Sequence, residues 1–203
     1  MKVAVADYGI GNILSVVSAV SKVGFDVLLD DDGTAFSDAD VVLVPGVAAF
    51  GAGMQRLEQS GHAERLLERH AAGQGIVGLC LGAQLFLQSS AETPGIPGLG
   101  IADGEVVPLA LTNYRTPNQG WMQVKSVGPK RLPSADGYFY FSHSYRFEPG
   151  PKMEQRANAW SGDESFLSLY SQDNVTGIQF HPEKSGGTGL SFLSDILNES
   201  SQG

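Results

Sequence analysis

Residues 76–82, Ile-Val-Gly-Leu-Cys-Leu-Gly, form an apolar run that reaches Cys80, the only cysteine in a chain of 203 residues, and leads into a helical pattern. A sharp turn between a strand and a helix needs small residues two positions before and two positions after its central residue, and Gly78 and Gly82 occupy those positions. The turn also places Cys80 at the start of a helix, where backbone N–H groups favour the thiolate. The stretch therefore predicts a strand, a tight turn and a helix, with an exposed, activated nucleophile at the turn.

A second motif, Gln179-Phe180-His181-Pro182-Glu183, supplies a base and a carboxylate. Pro182 disfavours helix at His181, and in an extended segment residues two apart point to the same side. We therefore expect Glu183 to orient the imidazole of His181, while His181 takes the proton of Cys80. Taken singly, a free cysteine is more often a buried core residue and a His–Glu pair is more often a surface pair. The combination of the two motifs predicts a Cys–His–Glu triad.

Composition limits the classes of protein to consider. A hydrophobic content of 42% over 203 residues favours one compact domain spanning 1–203. No run approaches the roughly 20 apolar residues of a membrane helix, and the first residues lead into a strand without a signal-peptide pattern, so we expect a cytoplasmic protein. One cysteine forms no internal disulfide, and no Cys/His spacing indicates a metal or a cofactor. A net charge of −9 argues against nucleic acid or an anionic membrane as a partner.

The first ninety residues alternate short apolar runs with helical patterns, which indicates a parallel βαβα arrangement. The predicted elements are strands at Lys2–Ala6, Phe25–Leu29, Val41–Val44 and Ile76–Leu79, and helices at Asn12–Val23 and Gly61–Ala72. Ligands of such sheets bind beyond the carboxyl ends of the strands, where residues 8–12, 45–50 and the cysteine turn should converge.

After Gly95 the pattern changes to short strands with turn signals, which indicates an antiparallel or mixed half that shares one core with the first. The predicted strands are Val106–Val107, Met122–Val127, Tyr138–Phe147, Phe166–Tyr170 and Val175–Phe180, followed by a helix from about Gly189 to Leu197.

Other candidate motifs carry less weight. Gly9-Ile10-Gly11 does not extend to a dinucleotide-binding loop, because the third glycine would fall at Leu14, and residues 184–189 do not match a Walker-type phosphate loop. The acidic run 30–32 is expected to be a solvated turn, and His62 and His70 are expected on the solvated face of a charged helix. His143 is a rival base, but it lacks a neighbouring carboxylate, which favours His181.

The chain resembles the class I, triad-type glutamine amidotransferases over nearly its whole length, and within that class it is most similar to the glutaminase subunits of imidazole glycerol phosphate synthase. The motifs that carry the resemblance are residues 7–12 (Asp-Tyr-Gly-Ile-Gly-Asn), 45–47 (Pro-Gly-Val), 78–84 (Gly-Leu-Cys-Leu-Gly-Ala-Gln), Gly120-Trp121, His143-Ser144-Tyr145 and 177–185 (Gly-Ile-Gln-Phe-His-Pro-Glu-Lys-Ser).

The resemblance implies an α/β class I glutamine amidotransferase (flavodoxin-like) fold, with a central, mostly parallel sheet flanked by helices and an added antiparallel or mixed β portion in the C-terminal half. It implies hydrolysis of L-glutamine to glutamate and ammonia without a metal or cofactor. The residues that match the family's catalytic positions are Cys80, His181 and Glu183, with oxyanion-hole N–H groups at Val47 and Leu81 and substrate contacts at Gly46, Ala48, Gln84, His143, Ser144 and Tyr145.

The resemblance also implies a separate (β/α)₈-barrel cyclase subunit that receives the ammonia, forms imidazole glycerol phosphate and aminoimidazole carboxamide ribotide in histidine biosynthesis, and makes a heterodimer with this chain. The residues matched to that interface are Asn12, Trp121 and Lys184. A barrel of that size does not fit within 203 residues, so the partner is expected to be another chain.

Four positions depart from the family pattern and leave alternatives open. Ala48 stands where the oxyanion loop usually has glycine, which matters if that position needs a positive φ. Asn118 and Met122 replace the histidine and asparagine of a segment that faces the partner in this family, and Ala83 replaces a methionine. The alternatives are a paralogue that feeds another acceptor, such as an amidine-forming enzyme of sugar biosynthesis, a non-catalytic regulatory subunit that binds glutamine or a partner, and a cysteine hydrolase or peptidase with a similar elbow.

Overall fold

The computed structural model describes residues 1–111, 116–127 and 135–202. Helices and strands alternate in the first half, and strands dominate the second. In chain order the elements are β1 (Lys2–Ala6), α1 (Ile13–Lys22), β2 (Asp26–Asp30), β3 (Val41–Val44), α2 (Phe50–Gln59), α3 (His62–Ala71), β4 (Ile76–Leu79), α4 (Leu81–Leu85), β5 (Ser89–Ser90), β6 (Gly104–Pro108), β7 (Asn118–Ser126), β8 (Gly137–His143), β9 (Tyr145–Pro149), β10 (Glu154–Ser161), β11 (Glu164–Gln172), β12 (Val175–Ile178) and α5 (Gly186–Ser200), with short 3₁₀ helices at Thr34–Asp38 and Pro182–Lys184.

The described residues form a nine-stranded sheet in the order β2-β1-β3-β4-β12-β11-β10-β7-β8 and a small sheet in the order β5-β6-β9. From β2 to β12 neighbouring strands run parallel, and from β12 to β8 they run antiparallel. The sheet is therefore mixed, with its parallel half first, as the sequence predicts. Strand β12 joins the two halves, since it is parallel to β4 and antiparallel to β11.

The core lies on both faces of the large sheet, because the side chains of each strand alternate between the faces. In β3, Val41 and Leu43 belong to the cluster that includes α1 and α5, whereas Val42 and Val44 belong to the cluster that includes α2, α3 and α4. All four residues of β3 are fully buried, which suits a central parallel strand.

Several predicted elements need correction. The sequence predicts one strand over Tyr138–Phe147, but the chain changes sheet at Ser144, so β8 pairs with β7 and β9 pairs with β6. Helix α2 was not predicted, because Gly51 and Gly53 lower its helix propensity. Those glycines allow close packing, since a Cβ at Gly53 would lie 3.1 Å from Leu81 and Leu85 of α4. Strand β10 was also not predicted.

Two residues that the sequence predicts to be solvated, Asp30 at the end of β2 and His62 at the start of α3, are buried and lie against each other. Asp30 is 3% exposed, and its carboxylate accepts hydrogen bonds from the backbone N–H groups of Asp32, Gly33 and Ala35, which closes the turn after β2. His62 is fully buried, with Nε2 at 3.4 Å from an Asp30 carboxylate oxygen.

The charged face of α3 is likewise not wholly solvated. Arg69 is buried because its guanidinium donates to four carbonyls, those of Phe36, Ala39, Asp40 and Gly75. His70 is partly buried and contacts Asn174. These side chains attach α3 to the neighbouring segments of the chain. The structure gives no sign of a chemical role for His62 or His70.

Candidate active site

Cys80 lies on the turn between β4 and α4 in a strained backbone conformation, with φ +51° and ψ −108°. A Cβ at Gly78 would lie 2.5 Å from the nitrogen of Ala83, and one at Gly82 would lie 1.9 Å from the carbonyl oxygen of Val44. The two glycines are therefore required because backbone segments pass close to them, while the positive φ itself falls on Cys80. The helix that follows has only five residues, so the N–H groups of its first turn, rather than a long helix dipole, act near the sulfur.

Cys80 and His181 come together because they follow neighbouring parallel strands. Leu79 at the end of β4 is in register with Ile178 at the end of β12, so both strands deliver their next residues to the same edge. His181 is held there by β8, because its N–H donates to the carbonyl of Tyr140 at 2.8 Å.

Glu183 pairs with His181, but by a different geometry from the extended one that the sequence predicts. Pro182 starts a 3₁₀ turn over Pro182–Lys184, in keeping with the preference of proline for the first position of a helix. That turn brings an oxygen of Glu183 to 2.8 Å from Nδ1 of His181, and both side chains are 3% exposed. Nδ1 is thereby committed to Glu183, which leaves Nε2 for chemistry.

The protonation of His181 follows from these neighbours. Burial lowers the pKa of its imidazole, but the negative charge of the Cys80 thiolate and the carboxylate of Glu183 outweigh burial and raise the pKa to about 10. Nε2 is buried and makes no hydrogen bond within the described chain, so it is free to act on a substrate. The arrangement suits a thiolate–imidazolium pair that can attack a carbonyl carbon and then protonate a leaving group.

The two N–H groups predicted to form the oxyanion hole do not converge in this structure. The N–H of Leu81 donates to the carbonyl oxygen of Gly46 at 3.4 Å. Because a trans peptide is planar, the N–H of Val47 points to the opposite side from that oxygen and therefore away from Leu81. In this arrangement Gly46 presents an acceptor where a substrate oxyanion needs a donor, so the predicted pair of N–H groups at Val47 and Leu81 is not assembled.

Tyr8 anchors the oxyanion loop, which is residues 45–48. Its hydroxyl donates to the carbonyl of Pro45 at 2.6 Å, and burial, followed by the charge of Cys80, raises the pKa of that hydroxyl. Gly46 is needed for close packing, because a Cβ there would lie 2.5 Å from the Tyr8 oxygen. Ala48 is not among the described residues with positive φ, so alanine causes no backbone strain in this arrangement.

A cavity of about 190 Å³ opens in front of the sulfur. Its lining residues are Val47, Ala48, Ala49, Cys80, Leu81, Gln84, Glu92, Ser142, His143, Ser144 and Tyr145. It thus includes every predicted substrate contact except Gly46, which packs against Tyr8 and Leu81. Larger hollows occur elsewhere on the described surface, such as one lined by Lys152, Arg156 and Glu199, but Cys80 lines none of them.

His143 cannot serve as the rival base in this arrangement. Its Nδ1 lies 2.7 Å from the carbonyl oxygen of Tyr145, which can only accept, so Nδ1 carries the hydrogen. Its Nε2 then accepts from the side-chain amide of Asn118 at 2.9 Å. Burial lowers the pKa of His143 to about 4, so the ring is neutral with both nitrogens engaged.

The altered positions Asn118 and Met122 do not face outward, contrary to the expectation for a partner-facing segment. Both are buried in β7, and the amide nitrogen of Asn118 lies 3.1 Å from the sulfur of Met122. Strand alternation instead turns Gln119 and Trp121 to the outside, where Trp121 is 54% exposed. The residues at these two positions therefore change the packing next to His143. The outer surface of β7 is formed by other residues.

The three predicted interface residues are spread over one end of the molecule. Trp121 packs edge-to-face on Tyr140 at 6.2 Å between ring centroids, and the Lys184 ammonium lies 5.9 Å from the centroid of that same ring. Asn12 is exposed at the start of α1, whose first turn lines a hollow together with Glu183.

The sequence interpretation assigned no role to two residues that the structure brings to the site. Gln179 lies fully buried with its amide nitrogen 3.6 Å from the Cys80 sulfur, and its place two residues before His181 was the available signal. Glu92 lines the cavity and accepts a hydrogen bond from the N–H of Phe50 at 2.7 Å, and nothing in its local sequence indicates that position.

Within the described chain, no group of three or more His, Cys, Asp and Glu residues is placed to hold a metal ion, and no helix could span a membrane.

Comparison with known proteins places this chain in a family. Residues 4–199 match the family model described as glutamine amidotransferase class-I. The chain is 39% identical over 197 residues to the imidazole glycerol phosphate synthase subunit HisH of Methanothermobacter thermautotrophicus, which covers 96% of this chain and 97% of that protein. It is 37% identical over 205 residues to the subunit of the same name from Methanopyrus kandleri, with complete coverage of both chains.

A solved structure described as a glutamine amidotransferase covers 99% of both chains with a TM-score of 0.79 at 21% identity, which shows the fold. The predicted α/β fold class is therefore confirmed. The chain belongs to the class-I glutamine amidotransferases and, within them, to the family of imidazole glycerol phosphate synthase HisH subunits.

Proposed function

We propose that this chain is a glutaminase subunit, a single domain spanning 1–203, that hydrolyses L-glutamine to glutamate and ammonia. The observation that carries the proposal is the position of Cys80, on its strained turn at the cavity that Gln84 and residues 143–145 line, next to the buried His181–Glu183 pair whose charge it influences. The curated relatives of the same length bear the name of a synthase subunit, which supports the assignment.

In the proposed reaction the Cys80 thiolate attacks the side-chain amide carbon of glutamine, and the carbonyl oxygen becomes an oxyanion. Imidazolium Nε2 of His181 protonates the amide nitrogen, so that the C–N bond breaks and ammonia leaves a thioester on Cys80. Water then adds to the thioester carbon with His181 as base, and breaking of the C–S bond releases glutamate and the thiolate. Glu183 keeps the ring oriented and stabilises its charged form in both halves of the cycle.

The oxyanion loop makes this activity conditional. The Gly46–Val47 peptide must rotate so that its N–H replaces its carbonyl beside Leu81, because an oxyanion needs both donors. Rotation changes ψ of Gly46 and φ of Val47, and Gly46 has no Cβ to obstruct it. We propose that docking of the partner favours the rotated form, which limits hydrolysis of glutamine when no acceptor is present.

The proposed partner is a separate (β/α)₈-barrel cyclase subunit in the cytoplasm, to which ammonia passes directly. With it the pair would form imidazole glycerol phosphate and aminoimidazole carboxamide ribotide, a step of histidine biosynthesis. The relatives named as subunits of imidazole glycerol phosphate synthase support this acceptor. The exposed aromatic side chains of β7 and β8, Trp121 and Tyr138, provide an apolar surface for docking.

A second candidate is a paralogous subunit that supplies ammonia to another acceptor enzyme. It is suggested by the changed residues Asn118 and Met122. Because both side chains are buried, with Asn118 in contact with His143 and Met122 in contact with Asn118, they alter the inside of the site more than the docking surface. The structure thus favours the histidine pathway over this alternative.

The test is ammonia release from L-glutamine by the full chain alone, with the cyclase subunit, and with the cyclase plus its nucleotide substrate. We expect slow release alone and at least about tenfold faster release in the complete mixture. The Cys80→Ser variant should lose activity by about 10³-fold or more while keeping its circular dichroism spectrum.

No release under any condition, with glutamine still bound, would reject the proposal in favour of the regulatory subunit. Equal release by Cys80→Ser would reject the triad. Stimulation by another acceptor enzyme but not by the cyclase would support the paralogue.

A further inference from the structure

The side-chain amide of Gln179 touches the reactive sulfur. Gln179 lies between β12 and His181, is fully buried, and donates from Nε2 to Sγ of Cys80 at 3.6 Å. We infer that Gln179 holds the Cys80 sulfur as a thiolate in its attacking position. The consequence of this contact for turnover rests on the glutaminase function proposed above, whereas the contact itself does not.

The orientation of the Gln179 amide is determined by Gln84. The nitrogen of the Gln84 amide lies 3.1 Å from the carbonyl oxygen of Tyr145 and 3.2 Å from Oε1 of Gln179, and both of these atoms are acceptors. Since Oε1 of Gln179 is used to accept from Gln84, its Nε2 is the atom that remains for the sulfur. If the Gln179 amide were turned by about 180°, its nitrogen would face the nitrogen of Gln84, so two donors would meet. Its oxygen would then face the sulfur.

The same network continues to the segment predicted to hold the substrate. The Tyr145 carbonyl that accepts from Gln84 also accepts from Nδ1 of His143, and His143 is fixed by Asn118. Each donor of this network meets an acceptor, with the Tyr145 carbonyl accepting from both His143 and Gln84, and the network ends with an N–H on the sulfur.

The sulfur has a partner for each of its protonation states. The backbone oxygen of Ser142, at 3.8 Å, can accept only from the thiol, whereas Nε2 of Gln179 can donate to the sulfur in either state, weakly to the thiol and more strongly to the thiolate. Hydrogen bonds to an ionised acceptor are the stronger kind, so the Gln179 contact favours the anion. Because Gln179 is neutral, it stabilises the thiolate without competing with His181 for the charge.

The experiment follows alkylation of the full chain by iodoacetamide, detected by the mass increase of the intact protein. Cys80 is the only cysteine, so the rate reports this sulfur alone and needs neither partner nor glutamine. Gln179→Met has a similar length and no donor, and we expect it to react roughly tenfold more slowly at neutral pH.

The Gln179→Glu variant separates the hydrogen bond from packing. It keeps the shape and the acceptor for Gln84, but its ionised carboxylate would face the thiolate, so alkylation should be slower than in Gln179→Met at about pH 8. As the pH falls towards about 5 the carboxyl takes up a proton and regains a donor, so its rate relative to the unmodified chain should rise.

Ser168→Ala is the matched control. Ser168 is fully buried on β11, pairs with the carbonyl of Ala157, and accepts the backbone N–H of Gln179 through its own carbonyl, which the variant retains. It should lose some thermal stability and alkylate at the unmodified rate.

Unchanged alkylation in both Gln179 variants would overturn the inference, and so would equal slowing in both without the pH dependence of Gln179→Glu. If the variants do not fold, the side-chain NH₂ resonance of Gln179 in the unmodified chain should shift with pH and not do so in Cys80→Ser, and its failure to shift overturns the inference as well. Slowed alkylation in a chain that releases no ammonia from glutamine would keep the Gln179 contact and reject the proposed function.

Discussion

At the scale of single residues, the site depends on which form of each histidine its neighbours stabilise. His181 faces a thiolate and a carboxylate, which favour its charged form in spite of burial. His143 faces a carbonyl and an amide N–H, which engage both ring nitrogens of the neutral form. Two histidines near one sulfur are therefore suited to different tasks, proton transfer for His181 and support of the cavity wall for His143.

The neutral state of His143 predicts a dependence of stability on pH. Its pKa falls from 6.5 in the unfolded chain to about 4 in the folded one, so between these values the unfolded state binds the extra proton. The stabilisation is complete above pH 6.5 and is lost as the pH falls towards 4, by on the order of 3 kcal/mol. Denaturant unfolding should show a steeper loss in this window for the unmodified chain than for His143→Gln. Parallel curves for the two proteins would contradict the prediction.

At the scale of elements, the turn between β4 and α4 is built from close backbone contacts. Gly82 lies against the carbonyl of Val44 in β3, and Gly78 lies against the first turn of α4. The turn therefore connects Cys80 to the same strand that leads into the oxyanion loop. A shift of either glycine would move the nucleophile relative to Gly46 and Leu81.

Gly82→Ala should accordingly destabilise the chain by about 3 kcal/mol or more, because its Cβ would lie 1.9 Å from the Val44 carbonyl oxygen. The matched variant is Gly187→Ala in α5, where a Cβ would meet nothing within 4 Å and alanine favours helix. We expect that variant to gain about 0.5 kcal/mol. Chemical denaturation measures both, and similar stabilities for the two variants would show that the turn can relax.

At the scale of the whole molecule, the site lies where the parallel and antiparallel halves of the sheet meet. The parallel half provides Cys80 and the oxyanion loop, and β12 provides His181 at the junction. The antiparallel half provides His143 at the end of β8, and the outer side of β7 and β8 carries the exposed aromatics Trp121 and Tyr138. The strands that support the cavity wall thus also form the proposed docking surface.

Trp121→Ala should weaken binding of the cyclase subunit by about 2 kcal/mol, a value typical of a central aromatic at an interface. Its side chain is 54% exposed in the free chain and packs on Tyr140, so the melting temperature should fall only slightly and the alkylation rate of Cys80 should not change. Leu67→Ala removes a similarly exposed apolar side chain on α3 and should leave the affinity unchanged. Titration calorimetry measures both affinities, and equal binding by Trp121→Ala and the unmodified chain would exclude Trp121 as an anchor.

Local patterns in the sequence were sufficient for the strands of the parallel half and for choosing the residues of the candidate triad. Strands β1, β3 and β4 have the predicted bounds, because continuous apolar runs between turn residues define central strands locally. The glycines around Cys80 indicate a tight turn from their spacing alone, although Gly82 is required because of Val44 in a neighbouring strand, whereas the proline after His181 acts on the turn that it starts.

Contacts between distant segments decided the rest. The sheet change at Ser144, the helix over Phe50–Gln59, the carbonyl of Gly46 on Leu81 and the amide of Gln179 on Cys80 depend on residues that are far apart in the chain. Hydrogen-bond direction and burial are properties of the packed molecule, so the residue types of the site could be predicted from sequence, whereas its tautomers, its unformed oxyanion hole and the inward-facing Asn118 were determined by tertiary structure alone.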